Sequence, residues 1–230
     1  PLVRQFEQLG PVIISAEGWD PQGLASAFPT GTPVIINTAA AAAFTPAIAE
    51  AGHRCLQMLH EMPDYIRNHG HMDQLRAAQS AGAQIIASMP PVANALRHDL
   101  GFLDSIRPGV HLPPAPIEAF RRIRKSICGE RQMVFIGAGH ADYRKGFDLF
   151  LDAALIISTT LPGARFIWLG ALDRWSRDLA DRAIADSLDL ICPGFVTDSL
   201  AWYRAADTYL LTSRQDPGPM TAIHAPAVGT

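Results

Sequence analysis

A lysine stands in a glycine-containing loop in the second half of the chain. The apolar run Met133–Gly137 leads through Gly139 and a polar loop to Lys145-Gly146, where a helical pattern begins. Only two of the 19 basic residues are lysines, and an ammonium is a compact, mobile charge that suits a phosphate. The spacing matches neither the P-loop nor the dinucleotide-binding fingerprint. We interpret the loop as a phosphate site of another kind, with chance placement as the alternative.

A second polar stretch follows the apolar run Thr208–Leu211 and precedes another helical pattern. Gly218-Pro219 fits a helix start with proline at the first helical position. The free N–H groups of Met220 and Thr221 would then form an anion site. The carboxylate of Asp216 could accept hydrogen bonds from sugar hydroxyls. An ordinary strand–turn–helix connection is the alternative.

Histidines supply a third group of candidates. His60 directly follows the apolar run Cys55–Leu59, where it is either a ligand-facing group or a structural hydrogen bonder. A zinc-protease helix is excluded because Pro63 disrupts it. His69 and His71 could suggest a metal, but no third ligand is evident, so we predict no metal site. No serine-hydrolase elbow occurs either.

The elements that must position these groups follow a repeating pattern. Short continuous apolar runs predict strands at Val12–Ser15, Val34–Asn37, Cys55–Leu59, Gln84–Ala87, Met133–Gly137, Arg165–Leu169, Leu188–Cys192 and Thr208–Leu211. Helical patterns lie between them, among them Met72–Ala81, Phe147–Ser158, Arg174–Ser187 and Leu200–Ala206. Continuous apolar strands alternating with helices indicate parallel sheets covered on both faces. The predicted fold class is therefore α/β, with doubly wound parallel sheets.

The proline-rich segment His111–Pro116 is the predicted domain boundary, because its three prolines favour an extended, stiff connection. We therefore predict domains at 1–112 and 113–230. Beyond the boundary, apolar residues from Ile117 to Ile127 recur at helical spacing, with Arg121, Arg122, Arg124 and Lys125 between them. This basic face is interpreted as solvated. Contact with an anionic membrane or an acceptor is the alternative.

Composition excludes several classes of protein. The chain has 230 residues, 48% hydrophobic and 18% charged, with a net charge of −3. A broad nucleic-acid-binding surface is not expected from this charge. Three distant cysteines argue against a disulfide framework or zinc cluster and for a reducing cytosol. No apolar run reaches the roughly 20 residues of a membrane span, and no signal peptide opens the chain. We expect a cytoplasmic protein and, because the chain begins without Met, a fragment of a longer one.

Together these stretches resemble the GT-B glycosyltransferases of family 4. Four elements of the family's C-terminal domain occur in order: Arg144-Lys145-Gly146, Gly194-Phe195-Val196-Thr197-Asp198, Tyr203-Arg204-Ala205-Ala206-Asp207 and Ser213-Arg214-Gln215-Asp216-Pro217-Gly218-Pro219. The resemblance covers the chain from about Met133 onward. In the first half, Asn37-Thr38 and His60-Glu61-Met62-Pro63 are similar to elements of the N-terminal domain. The resemblance implies two Rossmann-like domains, both incomplete in this chain.

The resemblance also implies roles for individual residues. Lys145 would hold the diphosphate of a nucleotide-sugar donor, assisted by Arg144. Asp216 matches the first acid of the family's E-x7-E pair and would bind the donor sugar. His60 would face that sugar from the other domain. A further set would present its backbone to the base, sugar or phosphate: Phe195, Val196, Gly218, Met220 and Thr221.

Two positions depart from the family pattern. His224 stands where the second acid of the pair would grip the ribose, and a neutral imidazole can accept only one hydrogen bond there. Gly139 stands where an arginine is usual, so one phosphate contact is lacking unless Arg144 or His140 replaces it. The larger size of family members also implies that segments are missing at both ends, so this chain could be inactive even if its parent protein is an enzyme.

The predicted function is that of a retaining hexosyltransferase, or part of one, acting in polysaccharide or glycolipid assembly. Its donor would be a nucleotide-diphosphate sugar and its acceptor a glycan or a lipid-linked glycan, with peripheral contact at the inner face of the membrane. The resemblance implies that cationic groups take the place of a metal, and that no cofactor is needed. Two alternatives stay open: a non-catalytic nucleotide-sugar-binding module, which His224 favours, and a GT-B epimerase of UDP-sugars.

Overall fold

The computed structural model describes residues 2–10, 12, 18, 20–101, 103–105, 117–127 and 133–230. The chain divides into two compact units, Pro1–Arg107 and Pro108–Thr230. The linker predicted at His111–Pro116 lies outside the described residues, so the boundary between residues 112 and 113 stays a prediction. The strand predicted at Val12–Ser15 also lies outside them, except for Val12 itself.

The first unit contains a parallel four-stranded sheet of order β1-β2-β3-β4. Its strands are β1 (Pro33–Ile36), β2 (Arg54–Leu59), β3 (Gln84–Ala87) and β4 (Asp104–Ser105). Its helices are α1 (Leu2–Glu7), α2 (Pro21–Ser26), α3 (Thr45–Glu50), α4 (Pro63–Asn68), α5 (His71–Ser80) and α6 (Pro90–Leu100), and a 3-10 helix spans Ala39–Phe44. Proline occupies one of the first two helical positions in α2, α3, α4 and α6, where its missing N–H costs no helical hydrogen bond.

The second unit contains another parallel sheet, of order β7-β6-β5-β8. Its strands are β5 (Val134–Ala138), β6 (Arg165–Leu169), β7 (Leu190–Gly194) and β8 (Thr208–Tyr209). Its helices are α7 (Ile117–Ile127), α8 (Phe147–Thr160), α9 (Arg174–Ala185), α10 (Ser199–Ala205) and α11 (Met220–Ala227). Strand order reverses at β5: β6 and β7 follow on one side and β8 lies on the other. Ligands of open α/β sheets bind at the carboxyl ends of the strands beside such a reversal.

Two apolar clusters show that the second sheet is covered on both faces. Side chains of α8 and α9, such as Phe150 and Ala180, pack with Trp168 of β6 in one cluster. Tyr203 and Ala225, from α10 and α11, pack in the other cluster. All five residues of β5 are buried. The predicted α/β class with doubly wound parallel sheets is confirmed.

The strands and helices predicted within the described residues all occur, with ends that differ by up to two residues. The largest shift is in β7, which was expected at Leu188–Cys192 and begins at Leu190. The two-residue β4 was missed because Asp104-Ser105 carries no apolar pattern. Among the described residues, no helix is long and apolar enough to span a bilayer.

Two finer predictions were wrong. Pro219 is not the first helical residue but the residue before it, because its ψ of 104° is extended rather than helical. Arg124 does not belong to a solvated face. It donates to the Ala205 carbonyl at 2.5 Å and to Asp207 at 3.1 Å, and so ties α7 to the end of α10. Arg121, Arg122 and Lys125 are exposed as expected.

Candidate functional site

The loop that follows β5 is tied tightly to the end of β6. The N–H of Gly139 donates to the Leu169 carbonyl at 2.8 Å, and the Trp168 indole donates to the Gly139 carbonyl at 3.0 Å. Gly170 has a φ of +136°, and a Cβ there would lie 2.0 Å from the Gly139 oxygen. The close approach of the two loops therefore requires glycine at position 170.

Lys145 lies across this loop. A Cβ on Gly139 would come within 3.1 Å of the Lys145 side chain, so the glycine leaves room for the aliphatic part of the lysine. The backbone N–H of Lys145 donates to the Asp142 carboxylate at 2.6 Å, which fixes the turn before α8. The ammonium forms an ion pair with Asp216, and the two side chains are only 15% and 11% exposed. The structure therefore brings two predicted site residues into direct contact.

Asp216 has two further donors besides the ammonium. The N–H of Gly218 lies 3.3 Å from one carboxylate oxygen, and the Ser213 hydroxyl lies 3.5 Å from the other. A largely buried carboxylate is expected to be paired and hydrogen-bonded in this way, because desolvating an unpaired charge is costly. Ser213 belongs to the motif identified in the sequence, but its contact with the acid could not be predicted.

The loops after β5 and β8 touch through their backbones. A Cβ on Gly146, whose φ is +68°, would lie 2.0 Å from the Thr212 carbonyl oxygen. The Thr212 hydroxyl donates to the Lys145 carbonyl at 3.3 Å. Arg144, which was expected to assist Lys145 at a phosphate, donates instead to the Gln215 carbonyl at 3.1 Å. In this structure Arg144 ties the second loop to the first.

A cavity of about 390 Å³ lies beside these loops, at the carboxyl ends of β5 and β6. Four residues predicted for the site line it: Gly139, Phe195, Val196 and Thr221. His140 and Tyr203 also line it, and burial raises the pKa of Tyr203 above its ordinary value. The Tyr203 phenol therefore stays neutral at physiological pH.

Tyr209 is a part of this region that the sequence did not identify. Its hydroxyl donates to the Thr221 hydroxyl at 2.7 Å, which joins β8 to the first turn of α11. Burial is the main cause that raises the Tyr209 pKa, and the nearby Asp216 charge raises it further. A tyrosine in a short strand does not by itself indicate which residue its hydroxyl will bind, so this contact could be found only in the structure.

The start of α11 carries the last predicted residues of this unit. Met220 is the first helical residue, and the first N–H groups of a helix have no partner inside it. His224 lies one helical turn further on and is half-buried. No hydrogen bond or ion pair joins its imidazole to the part of the chain that the structure describes, and it does not line the cavity.

His60 lies in the first unit, at the carboxyl end of β2. Its Nε2 is 2.7 Å from the Asn37 side-chain oxygen at the end of β1. Next to it, the Glu61 carboxylate accepts hydrogen bonds from the Thr38 hydroxyl and from the N–H groups of Ala39 and His60. The elements that resemble the family's N-terminal domain therefore meet at one sheet edge.

The other histidines of the first unit have local partners. The Nδ1 atoms of His69 and His71 lie within hydrogen-bond distance of the Tyr65 carbonyl and the Gln74 side chain, at 2.9 and 3.1 Å. Within the described ranges, no group of three or more His, Cys, Asp or Glu residues could hold a metal ion.

Comparison with known proteins agrees with this arrangement. The family model for glycosyl transferases group 1 matches residues 130–230. Mannosylfructose-phosphate synthase of Agrobacterium fabrum is 29% identical over 166 residues, which cover 64% of this chain and 36% of that enzyme. Residues 130–230, most of the second unit, are thus similar to the glycosyl transferases group 1 family.

Solved structures extend the likeness to both units. The crystal structure of Anabaena Alr3699/HepE in complex with UDP matches 86% of this chain and 58% of that one, with a TM-score of 0.71 and 17% identity. An alpha,alpha-trehalose-phosphate synthase (UDP-forming) from Burkholderia vietnamiensis matches 91% and 58%, with a TM-score of 0.71 and 15% identity. The chain has the Rossmann-like GT-B fold and spans little more than half the length of these structures.

Proposed function

We propose that this chain is part of a retaining glycosyltransferase that moves a hexose from a nucleotide-diphosphate sugar to a glycan or lipid-linked acceptor. The observation that carries the proposal is the ion pair between Lys145 and Asp216. Neither residue lines the 390 Å³ cavity, but the Lys145 side chain packs against Gly139, which does. Ligand pockets usually have volumes of roughly 300–1,000 Å³. The match of residues 130–230 to the glycosyl transferases group 1 family supports the reaction class, and the UDP bound to Alr3699/HepE supports a nucleotide donor.

In this proposal the Lys145 ammonium neutralises the diphosphate that leaves the sugar. Negative charge develops on the leaving group in the transition state, and a preorganised cation in a partly buried site stabilises it strongly. The first N–H groups of α11, at Met220 and Thr221, would bind phosphate oxygens along the helix dipole. Charge neutralisation would then come from the chain's own residues, and independence of a metal is part of the proposal.

The remaining residues would orient the donor. Asp216 would accept hydrogen bonds from sugar hydroxyls once the ammonium turns to the diphosphate. The base would lie in the cavity against Phe195 and Val196, whose backbones are assigned to it by the family resemblance. The role of His60 at the sugar stays a prediction, and so does membrane contact through the exposed Arg121 and Lys125 of α7.

Calorimetric titration with UDP, GDP and ADP tests the donor site. We expect one of the three to bind with a millimolar or lower Kd, and Lys145→Ala to weaken that binding at least tenfold, because the charge that faces the diphosphate is lost. Lys125→Ala removes the other lysine, on exposed α7, and is the matched control that should bind as the unchanged chain does. Absence of binding to all three nucleotides, or equal losses in both variants, would contradict the proposal.

A non-catalytic nucleotide-sugar-binding module is the second candidate, favoured by His224 at the position of the family's second acid. The two candidates differ in turnover, which is measured on the full-length parent protein because this chain spans little more than half the length of the structures it matches. A transferase incubated with UDP-glucose, GDP-mannose or ADP-glucose releases the free nucleoside diphosphate by slow transfer to water, which chromatography detects. A binding module holds the donor without releasing the diphosphate above the rate seen in Lys145→Ala.

A further inference from the structure

Arg214, on the loop after β8, makes several polar contacts with the loop after β5 and with the start of α8. No sequence motif predicted these contacts. Its guanidinium donates to both carboxylate oxygens of Asp148, each at 2.7 Å. The same group donates to the Tyr143 carbonyl at 2.8 Å and lies 3.9 Å from the centre of the Tyr143 ring. A planar guanidinium that binds a carboxylate with two parallel hydrogen bonds is held in one orientation.

These contacts bracket Lys145 in the sequence. Tyr143 lies two residues before the lysine, and Asp148 lies three residues after it, in the first turn of α8. The backbone N–H of Arg214 also donates to the Arg144 carbonyl at 2.9 Å. The Arg214 side chain thus contacts residues on both sides of Lys145 in the sequence. On its own loop, Arg214 also lies two residues from Asp216, which pairs with that lysine.

The ion pair between Lys145 and Asp216 cannot by itself fix the distance between the loops, because a lysine side chain has four flexible methylene groups. Arg214 acts on the backbone and on the start of a helix, which are stiffer. Its hydrogen bond to Asp148 is also the main cause that lowers the pKa of that carboxyl. The Arg214–Asp148 pair therefore stays charged at neutral pH.

We propose that Arg214 is a positioning residue that holds the two loops carrying Lys145 and Asp216 at a fixed separation, so that the ammonium can reach a bound diphosphate, without touching the ligand itself. The inference rests on the proposed donor site but concerns a residue to which that proposal gives no role. If Arg214 is removed, the loops after β5 and β8 should separate more easily, and the ammonium should bind the diphosphate less well.

Two measurements on this chain test the inference. In hydrogen exchange without nucleotide, Arg214→Ala should raise the exchange rates of amides 142–146 and 213–216, while those of β5 and β6 stay unchanged. In calorimetry, the variant should weaken binding of the nucleoside diphosphate about tenfold and binding of the matching monophosphate less than threefold. A merely structural role would weaken both ligands equally. Arg182→Ala, an exposed arginine on α9, is the control.

Two further variants separate the charge of Arg214 from its bidentate contact and cover the case in which Arg214→Ala does not fold. Arg214→Lys keeps the charge but loses the two-pronged contact, and should recover less than half of the lost affinity. Asp148→Asn keeps the arginine and should raise loop exchange by itself, which tests the idea even if Arg214→Ala does not fold. Unchanged exchange in both Arg214→Ala and Asp148→Asn would overturn the inference, as would lost affinity without faster exchange. Absence of nucleotide binding to the unchanged chain would instead overturn the donor site and leave the exchange measurement to decide.

Discussion

The two units present polar groups at equivalent sheet edges, yet their carboxylates have different partners. In the first unit, Glu61 accepts hydrogen bonds from a neighbouring hydroxyl and from backbone N–H groups, and so holds the start of the 3-10 helix. In the second unit, Asp216 is paired with the ammonium of Lys145, which belongs to a different loop. Both acids follow strands of the same kind of parallel sheet.

The partners of the two carboxylates indicate that Glu61 is a structural acid, whereas Asp216 could take part in binding a ligand. The Ala39 N–H cannot leave Glu61 without unfolding the start of the 3-10 helix to which it belongs. The Lys145 ammonium ends a flexible side chain, so under the proposed function a bound diphosphate would draw it away from Asp216 without moving the backbone. Under the proposed function, the two acids would therefore have different roles because their partners differ in mobility.

The largest expected effect on stability concerns Gly170, where the two loops of the second unit touch. Gly170→Ala should lower the free energy of unfolding by about 3 kcal/mol, because its Cβ would meet the Gly139 carbonyl and its φ is positive. Gly82→Ala in the first unit is the control. Its φ is +90° with open space around the Cβ, so it should cost about 1 kcal/mol. Urea titration measures both, and equal losses would show that the contact between the loops is not close.

Glu61→Ala tests the structural side of the comparison. Loss of an acceptor used by several donors should cost about 2 kcal/mol of stability and leave the Kd for nucleotide unchanged. Glu50→Ala, at an exposed position of α3, should cost less than 0.5 kcal/mol. A large effect of Glu61→Ala on nucleotide affinity would place that acid in the binding site instead.

Much of the fold could be predicted because apolar runs report strands directly. The five residues of β5 are all buried, and continuous burial is what a run such as Val134–Ile136 indicates. The two-residue β4 could not be found in this way, because its place in the sheet is set by pairing with Ile86 and Ala87 rather than by its own composition.

The candidate site was predictable only where a motif marked it. Lys145 and Asp216 were identified separately, from a rare lysine and from a polar stretch after a strand, but nothing in the sequence predicted that they pair with each other. Arg214 and Tyr209 were missed because their partners, Asp148 and Thr221, are chosen by three-dimensional packing. Arg124 was misjudged for the same reason, since charge alone does not tell a solvated arginine from one that caps a neighbouring helix.

The smallest expected effect concerns the thiols of the two units. Burial is the main cause that raises the pKa of Cys192 from 9.0 to about 11, and burial also raises that of Cys55. The folded state thus holds the Cys192 proton more tightly than the unfolded state does. The resulting stabilisation is present below pH 9 and is lost as the pH rises through 11.

Alkylation by iodoacetamide, followed by peptide mass analysis, checks this difference. Cys192 should react slowly at pH 8 in the folded chain and rapidly once urea unfolds it, because the thiolate is the nucleophile. Labelling of the folded chain at pH 8 as fast as that of an unfolded chain would contradict the burial of this thiol.

The Kd of a nucleoside diphosphate for Asp216→Asn tests most directly whether Lys145 exchanges its carboxylate partner for the ligand. The variant removes a negative charge that competes with the diphosphate for the ammonium and keeps the shape of the side chain. We predict that UDP, or whichever diphosphate binds the unchanged chain, binds Asp216→Asn three- to tenfold more tightly. Weaker binding, by a factor like that of Lys145→Ala, would contradict the exchange and show that the intact ion pair is itself what the diphosphate requires.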